Sequence, residues 1–365
     1  MDQDEVYQWS ATIRNYLGLG HWQGMMLAGL SLGVMASRSC TLSTVAEGLG
    51  CLGKADSVER RIQRWLNNER VVSAAVQERW VRWVVHSLGI STGRLTLLVD
   101  ESKLGEHLNL MMVGIAYRQR CLGLVWRCYQ PEAWPMGQVA LIEDLLKRVQ
   151  RALPAAVEVV VQADRGIGTS PDLVEAVVKM GWHYLFRVQG TTHFQNAQTP
   201  DGEVRSLITR GAPDLNLTGE VFKDAGWLKT HLCLIWQAAY DEPWCLIYDL
   251  PDLTGHEYAH RNWQEQSFRD LKSGGWRWNA SQVWQPDHAE RLLLALVLAY
   301  ALTLSLGLRT LEDGQLQRNV SRGARQRWSL FRLGLRVLAD LRRRAQPLQC
   351  FLDLRPPILQ FVPYG

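Results

Sequence analysis

The chain has 365 residues, 47% of them hydrophobic and 21% charged, with a formal net charge of +4. That is enough apolar chain for a full core and for two or three domains, and the chain reads as globular. So small a net charge excludes a DNA-binding surface spread over the whole molecule and leaves only local basic patches for that role.

The pattern from residue 7 to about 88 is helical, with apolar residues three and four apart in Trp80, Val81, Val84, Val85 and Leu88, and no strand is expected there. Within it Thr41 opens a short helix through Val45 and Ala46, the glycines from Gly48 to Gly53 break it, and Ser57 caps a second helix carrying Arg60, Arg61 and Arg64. The arrangement resembles a helix-turn-helix, which makes the three arginines candidate DNA contacts. Two short helices around glycines also occur without DNA. Asp2, Asp4 and Glu5 precede any apolar run, unlike a secretory signal, and the seven cysteines are scattered with no C-x-x-C pair. Both features predict a reducing, cytoplasmic setting and no structural zinc.

The character changes at Ser91-Thr92-Gly93. Residues 95–100, 110–117 and 121–129 read as strands, the last two joined by the polar turn Arg118-Gln119-Arg120; 138–151 reads as an amphipathic helix and 157–164 as a fourth strand. A helix over 171–180 and a strand over 182–188 complete the order β-β-β-α-β-α-β, that of an RNase H-like mixed sheet flanked by helices. Residues 191–243 are punctuated by Gly, Asp and Thr around apolar pieces such as 228–236, which predicts a β-rich insertion. Then come a strand at 244–250, a helix over 257–272 stopped by Ser273-Gly274-Gly275, and an uncharged run at 292–308. That run falls just short of the roughly 20 residues a bilayer needs, so it predicts a buried core helix rather than a membrane span. A basic tail follows, with Arg318, Arg322, Arg325, Arg327, Arg332, Arg336, Arg342, Arg343 and Arg344 against the single acid Asp340. The expected division is a helical DNA-binding domain at 1–90, a catalytic domain in two parts at 91–190 and 244–310, the insertion at 191–243 between them, and the tail at 311–365.

Asp100 and Asp164 each end a predicted apolar strand, where the carboxyl edge of an α/β sheet places its reactive groups. A strand can also end at Asp merely to cap a turn. The helix over 257–272 adds Tyr258, Arg261, Glu265 and Lys272, spaced 3, 4 and 7 apart. At 100° per residue these lie within about 60° of one another, with Arg261 roughly 6 Å before Glu265 and Lys272 roughly 10 Å after it. One acid on that stripe can reach a metal while two cations flank it. The competing interpretation is a solvated helix with an Arg261–Glu265 pair at i,i+4.

The spacing Tyr258-x-x-Arg261-x-x-x-Glu265-x-x-x-x-x-x-Lys272 resembles the signature of the IS-four family of bacterial insertion-sequence transposases, part of the DDE superfamily. Leu97-Leu98-Val99-Asp100-Glu101-Ser102 and Gln162-Ala163-Asp164-Arg165-Gly166 are similar to that family's first and second acid strands. The likeness covers roughly residues 95–306. It implies Asp100, Asp164 and Glu265 as catalytic metal ligands for two Mg²⁺ ions, replaceable by Mn²⁺, with Asp100 shared by both ions. It implies Tyr258, Arg261 and Lys272 as phosphate contacts and Trp227 or Trp236 as a platform for a flipped base. The partners implied are double-stranded DNA, as terminal inverted repeats and target, and a second copy of the chain in a homodimer, with no membrane. Two other functions share these residues: a catalytically silent DNA-binding descendant, and another RNase H-like nuclease, which would not need the Tyr-Arg-Lys stripe.

Overall fold

The structure is a computed structural model that describes residues 2–312 and 328–355. Among these, residues 2–90 form only helices: α1 (Gln3–Leu17), α2 (His21–Ser37), α3 (Leu42–Gly48), α4 (Ala55–Leu66) and α5 (Ser73–Ser87). Asp2 and Glu5 close a capping box at the start of α1, and Gly18, at φ 63°, ends it in the left-handed conformation that glycine adopts without cost. Thr41 does precede α3, but α4 begins at Ala55 after Lys54, so Ser57 lies inside the first turn and is not its cap.

The sheet is built from β1 (Gly93–Leu104), β2 (Leu108–Tyr117), β3 (Arg120–Tyr129), β4 (Val157–Ala163) and β5 (His183–Arg187), followed by β6 (His193–Gln195), β7 (Gly202–Glu203), β8 (Leu215–Val221), β9 (Leu228–Ile235) and β10 (Trp244–Tyr248). Helices α6 (Gln138–Gln150), α7 (Arg165–Gly168, one turn) and α8 (Pro171–Lys179) lie between β3 and β5 in the chain. The strand order is β3-β2-β1-β4-β5-β10-β9-β8-β6-β7. β1, β2 and β3 form an antiparallel meander, and β4 and β5 continue parallel to β1, the RNase H-like arrangement that the element order implies. Residues 191–243 are β-rich as expected, and their strands extend the same sheet past β10.

Two expected boundaries move for a physical reason. Asp100 does not end β1, because the β1–β2 hairpin keeps pairing to Leu104↔Leu108, four residues further on. What ends near Asp100 is the parallel pairing with β4, whose last register pair is Val99↔Ala163. The expected helix over 257–272 is three pieces: a 3₁₀ turn (His256–His260), helix α9 (Arg261–Arg269) and a π-turn (Asp270–Gly274).

Helix α10 (Pro286–Glu312) has 27 residues, longer than the uncharged run, because Glu290 and Arg291 are buried within it, Glu290 against Arg127 and Arg291 against backbone carbonyls. By length and apolarity it would pass for a membrane span, yet its apolar window is wholly buried inside the fold. Arg291 donates to the carbonyls of Val71 (3.1 Å) and Leu66 (2.7 Å), which joins α10 to the N-terminal helices. Trp80 Nε1 reaches the Gly123 carbonyl at 2.9 Å and Gln77 the Trp126 carbonyl at 3.1 Å, so α5 is tied to β3. The N-terminal helices and the sheet share one hydrophobic core. Helix α11 (Leu330–Arg343) packs on α10, and Arg342 and the Leu348 amide both donate to the buried Glu5 of α1. Arg318, Arg322, Arg325 and Arg327 of the basic tail lie outside the described residues.

Candidate active site

Successive side chains on a strand point to opposite faces. On β1, Leu98 packs with Trp263 of α9, so Asp100, two residues on, faces the same side. On β4, Val160 packs with Tyr258 and Gln162 Nε2 donates to the Glu257 carbonyl at 3.0 Å, so the next residue of that parity, Asp164, also faces this side. Leu98↔Gln162 and Val99↔Ala163 are register pairs, which sets Asp100 and Asp164 next to each other where the two parallel strands part. Gln264 Nε2 donates to the Met112 carbonyl at 3.1 Å and pins α9 across the meander. Glu265 then projects from α9 over the same place.

The three acids meet on one cation. Arg261 Nη2 lies 2.7 Å from Asp100 Oδ1 and 3.7 Å from Asp164 Oδ2, and its Nη1 lies 3.6 Å from Glu265 Oε1. The expected Arg261–Glu265 pair exists, but as one arm of a four-residue cluster rather than on a solvated face: the Arg261 side chain is 8% exposed and that of Asp100 9%, against 58% for Glu265. Burial pushes the Asp100 carboxyl up to about 7, against the pull of Arg261 and with a further push from Asp164 and Glu265. Asp164 uses Oδ1 to accept from the amides of Gly166 and Ile167 at 3.1 Å, capping α7 and leaving Oδ2 turned to the cluster.

Lys272 lies in the π-turn rather than on α9 itself; single π-turns of this kind occur often at functional sites. Its Nζ donates to Ser102 Oγ at 2.7 Å and to the Lys103 carbonyl, both on β1 just past Asp100. Burial lowers its pKa, with Asp100 opposing. The π-turn is held by Asp270, which pairs with Arg120 at 2.7 Å and accepts from Tyr300 at 3.1 Å. Ser267, one turn earlier, receives the Cys121 amide at 2.7 Å.

Tyr258 is 5% exposed and packs edge-on against Trp244 at 5.2 Å; burial raises its phenol well above the usual range, so it remains neutral. Trp236 is 7% exposed and covered by the Arg205 guanidinium at 3.6 Å, whereas Trp227 is half-buried at φ 61°. Arg60, Arg61 and Arg64 lie on α4 and take no part in the acid cluster: Arg60 and Arg64 are exposed, and Arg61 folds back onto the Leu52 carbonyl at 2.6 Å. Sequence reasoning missed Ser102, whose signal was its place two residues after Asp100. It also missed Glu242, which pairs with Arg165 and, at 3.4 Å, with Arg187 beside the site.

Three carboxylates are hard oxygen donors of the kind that Mg²⁺ and Mn²⁺ prefer. Asp164 Oδ2 and the exposed Glu265 are accessible to such an ion. As they stand, no three His, Cys, Asp or Glu residues among those described form a metal-binding group. The Arg261 guanidinium stands between the acids.

No curated protein matches the chain. Among solved structures, Kluyveromyces polysporus Argonaute with a guide RNA shares 14% identity over 67% of this chain and 33% of that one, with a TM-score of 0.20. The C-terminal lobe of a budding yeast Argonaute shares 14% identity over 73% of this chain and 59% of that one, with a TM-score of 0.21. The chain thus spans about a third of the first and under two thirds of the second. Residues 137–302 match the family model described as the transposase DDE domain, a segment that begins after Asp100 and contains Asp164, Tyr258, Arg261, Glu265 and Lys272.

Proposed function

We propose that the chain is a DNA transposase of the IS-four kind, acting by cut-and-paste on its own terminal inverted repeats and a target duplex. The observation that carries this reading is the meeting of Asp100, Asp164 and Glu265, from β1, β4 and α9, on one guanidinium. The transposase DDE domain match over 137–302 supports it.

In this reading Asp100, Asp164 and Glu265 hold two Mg²⁺ ions, with Mn²⁺ as a substitute. When bound, such ions supply charge stabilisation at the phosphate and a more acidic attacking hydroxyl. The chain's own residues do the positioning that dominates phosphoryl transfer. Backbone register holds Asp100 beside Asp164, while Gln264 and the Arg120–Asp270 pair fix how α9 presents Glu265. Lys272 and Arg261 grip phosphates flanking the scissile one, with Tyr258 as a buried support. Water attacks first, freeing a 3′-hydroxyl, and that hydroxyl then attacks target DNA. Trp227 or Trp236 stacks a flipped base if a hairpin forms. Residues 1–90 bind the ends through Arg60, Arg61 and Arg64, two copies pair in the synaptic complex, and the setting is cytoplasmic.

The test is cleavage of a plasmid carrying the DNA that flanks the gene. End-specific nicking in Mg²⁺, absent with a chelator and in Glu265→Gln, is the expected result. Nicking retained in Glu265→Gln would remove α9 from the active site and with it this assignment. A catalytically silent DNA-binding descendant would bind the same ends and cut under none of these conditions.

A further inference from the structure

Arg261 is the only cation, among the described residues, that forms an ion pair with Asp100, Asp164 or Glu265. It is 7% exposed, and its Nε and Nη1 make no hydrogen bond although they are buried. A buried guanidinium normally satisfies its five N–H groups. This one is held mainly by charge, through Nη2 to Asp100 and Asp164 and more loosely through Nη1 to Glu265, and its Nε and Nη1 donors stay unspent. With all three carboxylates ionised, they and the one guanidinium carry a net charge of −2. Adding two divalent ions while Arg261 stayed would bring like charges within a few ångströms in a largely buried place, a strongly unfavourable arrangement. A phosphate anion offers the guanidinium a better bidentate partner than one close contact to Asp100 and two longer ones to Asp164 and Glu265.

We propose that Arg261 is the resident counter-ion of the acid cluster, that it competes with divalent metal for the three carboxylates, and that a DNA phosphate draws it out so that DNA and metal load together. This rests on the transposase reading and deepens it: the same arginine neutralises the empty site and releases it when substrate arrives. The coupling is reciprocal, because whatever DNA does to metal affinity, metal does to DNA affinity.

The experiment is titration of the full chain with Mn²⁺, free ion being counted by electron paramagnetic resonance, with and without a short duplex taken from the gene's flank. Wild type is expected to bind Mn²⁺ weakly alone and about 10-fold more tightly with the duplex, within the usual range of coupling. Arg261→Gln is expected to bind Mn²⁺ about 10-fold more tightly than wild type without DNA, and to lose most of the duplex effect. Arg261→Met, which keeps the buried stem, repeats the test should the Gln variant fail to show a native circular dichroism spectrum. Folded variants that bind Mn²⁺ no better than wild type, or that keep the full duplex effect, would overturn the counter-ion role while leaving the metal-dependent reading intact. Absence of Mn²⁺ binding in every arm, duplex included, would overturn that reading and this inference with it.

Discussion

Val99 of β1 and Ala163 of β4 are partners in parallel register, and each is followed directly by an acid. Neighbouring strands lie about 4.8 Å apart, so this one backbone pairing fixes the approach of the Asp100 and Asp164 carboxylates before any side-chain contact is made. A bulky residue at Ala163, which is fully buried, should disturb that spacing. Ala163→Val is expected to cost about 1–3 kcal/mol of stability through overpacking and to lower cleavage further than the stability loss explains. Thermal melts and nicking rates on the same preparation check both parts; a variant that melts early but cuts at the wild-type rate would show that the strand pairing does not set the site.

Lys272 is half-buried and donates to Ser102 Oγ and the Lys103 carbonyl. A lysine on a solvated helix face would cost only a few tenths of a kcal/mol on truncation. Here Lys272→Ala removes the donor for two acceptors, and a loss of about 1–2 kcal/mol is expected, together with a fall in cleavage of about an order of magnitude or more. Ser102→Ala should reproduce part of the stability loss with less effect on cleavage. Equal cleavage defects in the two variants would mean that Lys272 acts through Ser102 rather than on DNA.

The π-turn that carries Lys272 depends on Asp270, whose side chain and that of its partner Arg120 are both about a tenth exposed. Removing one member of a buried pair leaves the other uncompensated, and Arg120→Ala is expected to destabilise by about 3–5 kcal/mol. Tyr300→Phe, which removes one hydroxyl bonded to Asp270 and Ser267, should cost about 1 kcal/mol. Denaturant midpoints measured at constant m-value separate the two.

How far the sequence could be read follows from the range of each determinant. β1, β2 and β4 are short apolar runs whose signal is local, and Asp100, Asp164 and Glu265 stand out as candidates because the end of an apolar run and helix spacing are local signals too. The 3₁₀ turn at Tyr258 and the π-turn at Lys272 are not: the second is imposed by Arg120, 150 positions away, and by Tyr300 on α10. Nor could spacing reveal that Arg261, while keeping its helix-face partner Glu265, also reaches Asp100 and Asp164 across the fold. The full length of α10 was hidden because Glu290 and Arg291 look like helix boundaries until their buried partners are known.

Glu290 carries a pH dependence apart from the active site. It receives the Cys128 amide at 3.0 Å, with Arg127 at 3.5 Å, and burial lifts its carboxyl to about 7 against the pull of Arg127 and that hydrogen bond. Because the folded pKa lies above the unfolded value near 4.5, the folded chain binds more protons between these limits. Its contribution is therefore fully present below about pH 4.5 and lost as pH rises towards 7, at most about 3 kcal/mol for a shift of this size. Glu290→Gln should be relatively more stable than wild type at pH 7.5 than at pH 5. A melting-temperature difference independent of pH would mean that Glu290 stays charged in the fold.

Exposure separates the arginines of α4. Arg60 and Arg64 are exposed, one turn apart, with no acid paired to either among the described residues, whereas Arg61 closes the turn before α4 by donating to the Leu52 carbonyl. If α4 faces DNA, replacing Arg60 and Arg64 together by Ala should leave stability within about 1 kcal/mol of wild type and reduce the slope of log affinity against log salt by up to about 2, one counterion for each phosphate that is no longer neutralised. Arg61→Ala should do the reverse, weakening the fold by about 1 kcal/mol with little change in the slope. An unchanged slope in the Arg60/Arg64 variant would move the end-binding surface off this face of α4. The exposed arginines of α11, Arg332, Arg336 and Arg343, would then be the next to neutralise.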